Sequence, residues 1–290
     1  MRAPSPLWPA RLDHLRIDVA DVAASVAFYR DVIGMNPLAL EDGTTLMRGP
    51  ARRIVIGRGP ACGQPWSAFA VETPTQLASL RAHAEGHGLA PLASPSPAFA
   101  DGAFALRDPD GRLVVFGLPR ADLPAPPHAG FRPVAAALAG RLQHVVVASA
   151  RLDAMLAFYR DALGFVASDY VEEGGNRAGT ACFLRSDPEH HSFAVFRAPE
   201  PRPDHHCYEA TSWNDLRDWA DHLARNRVTI WWGPGRHGPG NNLFLMARDP
   251  GGYLFEISAE LEIMPLGVAP RRWPHEERTL NLWGPGWMRS

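Results

Sequence analysis

A chain of 290 residues, 46% of them hydrophobic, is long enough to build two packed cores, and a net charge of −2 provides no field to gather nucleic acid or an anionic membrane. All 29 basic residues are arginine, which excludes Schiff-base, pyridoxal and Walker-type phosphate chemistry because each depends on a lysine. The three cysteines, Cys62, Cys182 and Cys207, are too few and too unevenly spaced for a disulfide framework or a paired-cysteine metal site.

The chain opens on Met1-Arg-Ala-Pro-Ser-Pro-Leu-Trp-Pro, without the apolar core of a secretion signal, and no apolar run approaches the roughly 20 residues of a spanning helix. A cytoplasmic location is expected. Leu12-Asp-His-Leu-Arg-Ile-Asp-Val19 is a β-branched run and reads as a strand. Ser25 to Leu38 carries apolar residues at helical spacing, and Gln76 to His87 supplies a second helix. Leu106-Arg-Asp-Pro-Asp-Gly-Arg-Leu-Val-Val115 is a turn leading into a strand, since proline presets one dihedral and glycine accepts positive φ. Pro119 to Gly140, with its Pro-Ala-Pro-Pro, reads as a linker.

Beyond the linker the same phrases return in the same order. Ala27-Phe-Tyr-Arg-Asp-Val-Ile-Gly34 recurs as Ala157-Phe-Tyr-Arg-Asp-Ala-Leu-Gly164, and His14 recurs as His144 at an identical distance before it. Asp153 to Phe165 and Asn214 to Asn226 are the matching helices. Ala247-Arg-Asp-Pro-Gly-Gly-Tyr-Leu-Phe-Glu256 matches the earlier turn and strand. The chain is therefore expected to be α+β, with two strand–helix–strands modules in each half. The expected divisions are residues 1–125, residues 126–262 and a tail, 263–290, without clear periodicity.

Histidines gather in the second half: His144, His190, His191, His205, His206 and His237. His144, one of His205 and His206, and Glu256 all fall on expected strands. Two imidazoles and one carboxylate can bind ferrous iron on one face and leave the other face open. Strand alternation turns only one member of an adjacent histidine pair inward, and spacing alone leaves both open. The first half retains His14 but has Val115 opposite Glu256 and no histidine in Ser67-Ala-Phe-Ala-Val71. That asymmetry fits a site kept in one copy and lost in the other.

Taken together, Leu142-Gln-His144, Glu189-His-His-Ser-Phe-Ala-Val195, Asp204-His-His-Cys-Tyr-Glu209, Gly235-Arg-His-Gly-Pro-Gly-Asn-Asn-Leu-Phe244 and Arg248 to Glu256 resemble the type I extradiol ring-cleavage dioxygenases. These belong to the vicinal oxygen chelate (glyoxalase/bleomycin resistance) superfamily, and the likeness covers roughly residues 10 to 262. It implies four βαβββ modules forming two tandem domains, the C-terminal one holding Fe(II), or alternatively Mn(II), through His144, His206 and Glu256. It implies O2 as co-substrate, a small, hydrophobic catechol-like diol as substrate, and assembly as a homo-oligomer, with His191 as acid–base residue and His237 near the diol oxygens. The family usually has a tyrosine donor ten residues before the ligand glutamate, where this chain has Met246. A thioether cannot donate, so His237, Asn241, Asn242 or Tyr253 would have to serve, or the reaction differs. A metal-dependent isomerase or lyase, and a protein that sequesters an aromatic ligand, are the competing expectations.

Overall fold

The computed structural model describes residues 5–60, 63–121, 123, 138, 140–174 and 178–288. The expected boundary at residues 125 and 126, and most of the expected linker, lie outside them. The first module is β1 (Ala10–Val19), α1 (Val22–Asp31), β2 (Asn36–Ala39), β3 (Thr45–Gly49) and β4 (Arg52–Arg58). The second is β5 (Gly63–Val71), α2 (Pro74–Gly86), β6 (Leu92–Ala93), β7 (Phe104–Arg107) and β8 (Leu113–Gly117). In the second half β9 (Arg141–Ser149) leads to α3, which starts at Leu152–Leu156 and widens to a π-helical turn over Ala157–Ala162. Strands β10 (Val166–Glu173), β11 (Ala178–Arg185) and β12 (Phe193–Arg197) complete that module. The fourth comprises β13 (Arg202–Glu209), α4 (Trp213–Arg225), β14 (Ile230–Arg236), β15 (Leu243–Arg248) and β16 (Leu254–Ala259). The chain is thus four βαβββ modules in two tandem domains.

Helix starts follow local chemistry. The side chains of Asp21, Thr73 and Ser212 each accept a backbone N–H from the first turn of the helix that follows. The first helix is shorter than its apolar spacing suggests and stops at Asp31. Gly34, at φ +75°, ends it in a conformation that costs other residues strain, and Leu38 lies on β2 instead.

Each domain is one sheet, ordered β2-β3-β4-β1-β5-β8-β7-β6 in the first and β14-β15-β16-β13-β9-β12-β11-β10 in the second. Antiparallel pairs β1/β5 and β9/β13 join the two modules of each domain. The segment after Glu262 is not a loose appendage. Its strand β17 (Arg271–Pro274) extends the second sheet by pairing in parallel with β10, and a short helix α5 (Glu277–Leu280) follows.

The two duplicated phrases meet crosswise between the domains. Tyr29 of α1 donates to Asp249 in the turn of the second half at 2.8 Å, and Tyr159 of α3 donates to Asp108 in the turn of the first at 3.2 Å. The same aspartates accept backbone N–H groups within their own turns, from Tyr253 and from Asp110 and Arg112. Tyr29, Phe28, Tyr159 and Phe193 lie in one continuous buried core with both sheets. Burying each aromatic contributes on the order of 1.5–3 kcal/mol. The tyrosines and aspartates of the repeat are therefore explained first by docking of the halves.

Candidate metal centre

Register brings the site together. His144 on β9 stands opposite Cys207 on β13, and Cys207 stands beside Glu256 on β16. The side chains of these three neighbours share one face of the sheet, where single ligand atoms from each lie within 4.8 Å of one another. The register is unbroken from His205 to Cys207, so alternation puts His205, two residues before Cys207, on the same face; the bulge at Asp204 precedes it. His205 Nε2 lies 3.3 Å from Nε2 of His144 and 3.3 Å from a carboxylate oxygen of Glu256, while His144 Nε2 is 4.0 Å from that oxygen.

Every donor in this set is oriented from behind. Nδ1 of His144 is 2.5 Å from the amide oxygen of Gln143, and Nδ1 of His205 is 2.6 Å from the carboxylate of Asp204. Each contact places a hydrogen on Nδ1 and points Nε2 at the centre, the arrangement metal-binding histidines use. Asn242 donates to the other oxygen of Glu256 at 3.1 Å. The donor set and its supports fit a divalent cation. Cys207 fits less well as a ligand, because burial raises its thiol pKa well above the ordinary value and its Sγ is 3.2 Å from Ser258.

His206, the member of the pair implied by the family likeness, lies on the opposite face. Its ring packs against Tyr29 and Tyr208, and its buried Nε2 has no hydrogen-bond partner among the described residues. Burial, with His205 beside it, lowers its pKa to about 3. His205 takes its place in the cluster because alternation allows only one of them to face Glu256. A signal for this was present. His14, His144 and His205 each follow a residue that the register skips and whose side-chain oxygen meets Nδ1: Asp13, Gln143 and Asp204. His206 follows a histidine.

In the first domain the corresponding place is filled. Nε2 of His14 is 2.7 Å from the hydroxyl of Ser96, and the edges or faces of Trp66 and Phe99 close against the ring. Val115 and Ala68 occupy the positions of Glu256 and Cys207. Among the described residues, none is grouped with His14 as a metal-holding set.

The second-domain cluster opens into a small cavity lined by His144, Val146, Phe183, His191, Phe196, His205, His237, Pro239, Glu256 and Leu280. Its volume is about 20 Å³, room for a water or an ion but not an aromatic ring. His237 stacks on Phe244 at 3.9 Å, and its Nδ1 donates to the carbonyl of Leu280 at 2.5 Å, so the C-terminal segment forms part of the wall. Asn241 is exposed, at φ +52° in a turn, and contributes nothing to that wall. Met246 is fully buried on β15 opposite Glu256. The hydroxyl of Tyr253 is used at the domain interface, donating to the carbonyls of Asp18 and Gly63, and so does not replace a donor at the site.

Burial is the main electrostatic force here. It lowers His144 to about 3, and lowers His191 well below its ordinary value with help from His144 and His190. Burial alone would raise Glu256, but His205 at 3.3 Å, with His237 and His144 nearby, holds it well below the usual carboxylate range. For His205, burial disfavours the cation, yet Asp204 at one nitrogen and Glu256 at the other raise its pKa. A metal must displace that proton from Nε2. Affinity is therefore expected to fall as pH drops below the raised pKa, by about tenfold per pH unit for one proton released. Mn(II) titrations of the metal-free protein across acid and neutral pH test this; an affinity independent of pH would sink it.

A protein-family model described as the glyoxalase/bleomycin resistance protein/dioxygenase superfamily matches residues 11–116 and 141–257. Metapyrocatechase 2 of Cupriavidus necator is 34% identical over 149 residues, 50% of this chain and 44% of that protein. The 3-methylcatechol 2,3-dioxygenase of Pseudomonas putida is 27% identical over 257 residues, 85% of this chain and 88% of that protein. Among solved structures, the Mn(II)-bound glyoxalase from Novosphingobium aromaticivorans superposes with a TM-score of 0.75 at 26% identity, covering 96% of this chain and 92% of that one. A 2,3-dioxygenase from Pseudomonas superposes at 0.80 with 20% identity, covering 91% of this chain and 96% of that one, a likeness of fold. Both matched segments coincide with the two sheets, and the chain belongs to the glyoxalase/bleomycin resistance protein/dioxygenase superfamily.

Proposed function

We propose that this protein is a non-haem extradiol dioxygenase. In this reading it opens the ring of a hydrophobic catechol-like diol with O2, using Fe(II), or alternatively Mn(II), held by His144, His205 and Glu256. The observation that carries the reading is the supported triad: three donor atoms 3.3–4.0 Å apart, in a pocket that His191 and His237 share with Val146, Phe183, Phe196 and Leu280. The names of the two dioxygenase relatives point the same way. A bound ferrous ion would bring the diol and O2 to one centre and let electrons pass between them.

The chain's own groups supply the rest. Phe183, Phe196, Val146 and Leu280 offer apolar surface to a ring and exclude water. His191 sits with its ring centroid 4.2 Å from that of His144 and can take a proton from the diol, then return it to oxygen. His237, on the far side of Glu256, faces the place where the diol oxygens would lie. Oxygen uptake with a panel of diols, with a coloured ring-opened product and one metal per chain, tests the proposal. Metal binding without oxygen uptake on any diol would favour the second reading, a metal-dependent isomerase or lyase, to which the Mn(II) glyoxalase likeness lends weight.

Met246 bears on substrate choice within this reading. An absent hydrogen bond to a charged oxygen costs about 1.5–3 kcal/mol, which an apolar substituent near one hydroxyl can offset. The wild type is expected to turn over plain catechol poorly and a larger, substituted or bicyclic diol better. Met246→Tyr should improve plain catechol by roughly tenfold or more. Should the wild type prefer plain catechol, and the tyrosine variant do no better on it, Met246 sets no preference.

A further inference from the structure

Behind His191, away from the cavity, lies a buried chain of polar groups that the reaction above does not use. Nδ1 of His191 is 2.9 Å from Nδ1 of His190, and Nε2 of His190 is 2.8 Å from Oδ2 of Asp169. Neither His190 nor Asp169 has any exposed surface. Arg271, on the C-terminal strand β17, closes the chain by donating to both oxygens of Asp169, at 2.8 and 3.0 Å, and it also reaches Glu262.

Hydrogen-bond direction along this chain follows from its charged end. Asp169, gripped by a guanidinium, is an ionised carboxylate and can only accept, so Nε2 of His190 carries a hydrogen. In its neutral form His190 has one N–H, the one on Nε2, so its Nδ1 is a lone pair that accepts from its neighbour, whereas a second proton on His190 would reverse the direction. The neighbour is Nδ1 of His191. His191 then has its single hydrogen on Nδ1, and the nitrogen left for the cavity is bare.

We propose that Asp169 and His190 are positioning residues that lock His191 in the Nδ1–H tautomer, presenting an unprotonated Nε2 as acceptor for a diol proton. The role of that Nε2 rests on the dioxygenase reading; the tautomer does not. The arrangement also makes the C-terminal segment part of the acid–base apparatus, since Arg271 holds the carboxylate that sets the direction.

Long-range proton–nitrogen correlation spectra of the metal-free, full-length protein, labelled with 15N histidine, identify the protonated nitrogen of each ring. The wild type should show His191 protonated on Nδ1 and bare on Nε2. In Asp169→Asn the amide oxygen can keep Arg271 while the amide nitrogen donates to His190, so the whole chain reverses and His191 carries its hydrogen on Nε2. The metal-loaded variant should then lose roughly 10²–10⁴-fold in kcat, the scale of a wrong tautomer at a catalytic histidine, with metal content kept and KM within a few-fold. If Asp169→Asn does not fold, His190→Asn and His190→Phe carry the test. The amide oxygen of asparagine can replace the Nδ1 acceptor and keep the tautomer, whereas phenylalanine cannot and should release it. His191 protonated on Nε2 in the wild type, or unmoved by every folded variant, overturns the proposal. A wild type that consumes no oxygen with any diol removes the dioxygenase reading and leaves the nitrogen assignments standing, so the two failures are distinguishable.

Discussion

Replacing His144, His205 or Glu256 by alanine is expected to abolish binding of the single Fe(II) or Mn(II) ion, while His206→Leu retains it. The three residues present their donor atoms to one point from three adjacent strands, and loss of any one leaves two ligands on a face built for three. His206→Leu removes an imidazole that faces the tyrosines of the domain interface and fills its volume with hydrocarbon. It also removes a buried nitrogen with no hydrogen-bond partner among the described residues, a group that costs about 1–3 kcal/mol. Asp204→Asn should weaken the metal by roughly 10–100-fold, the usual effect of disturbing a group that orients a ligand. Replacing His14, which is bonded to Ser96 in the other domain, should leave metal content unchanged. Elemental analysis of the purified variants decides among these. Metal lost with the His206 variant and kept with the His205 variant would reverse the assignment made from the register of β13.

The second large effect concerns chemistry with the metal in place. His191→Ala is expected to keep one metal per chain and to bind substrate, while kcat falls by roughly 10²–10⁴-fold. His191 lines the cavity with its ring tilted against that of His144, yet its Nδ1 is engaged by His190, not turned toward the triad. Burial keeps it neutral, which suits a group that must accept a proton before giving one back. Anaerobic titration with a diol, followed by stopped-flow mixing with oxygen, separates binding from turnover. An emptied metal site in His191→Ala, or an unchanged kcat, would remove His191 from the acid–base role.

Much of the fold was legible in the residues. The duplicated His-strand, Phe-Tyr-Arg-Asp and Arg-Asp-Pro phrases gave the repeat, and periodicity with capping residues gave four helices and their order. Helix ends were less legible. The apolar spacing through Leu38 continues past Gly34, and only the pairing of Asn36–Ala39 with β3 shows that the chain has become a strand. The resemblance adds the proposed metal chemistry, and the loss of ligand types in the first half points to the second domain, where His144 and Glu256 come together.

By itself the sequence determined the composition of the site: which residue types, in which half, on strands. Only the tertiary structure decided which of two adjacent histidines faces inward, because a strand's two faces alternate and only its register against the neighbouring strands shows which face each residue takes. It also decided that the aperiodic C-terminal segment belongs to the site. Leu280 forms its wall and Arg271 reaches Asp169 across about one hundred residues of chain, a contact made by strand pairing between β17 and β10 that no local pattern encodes.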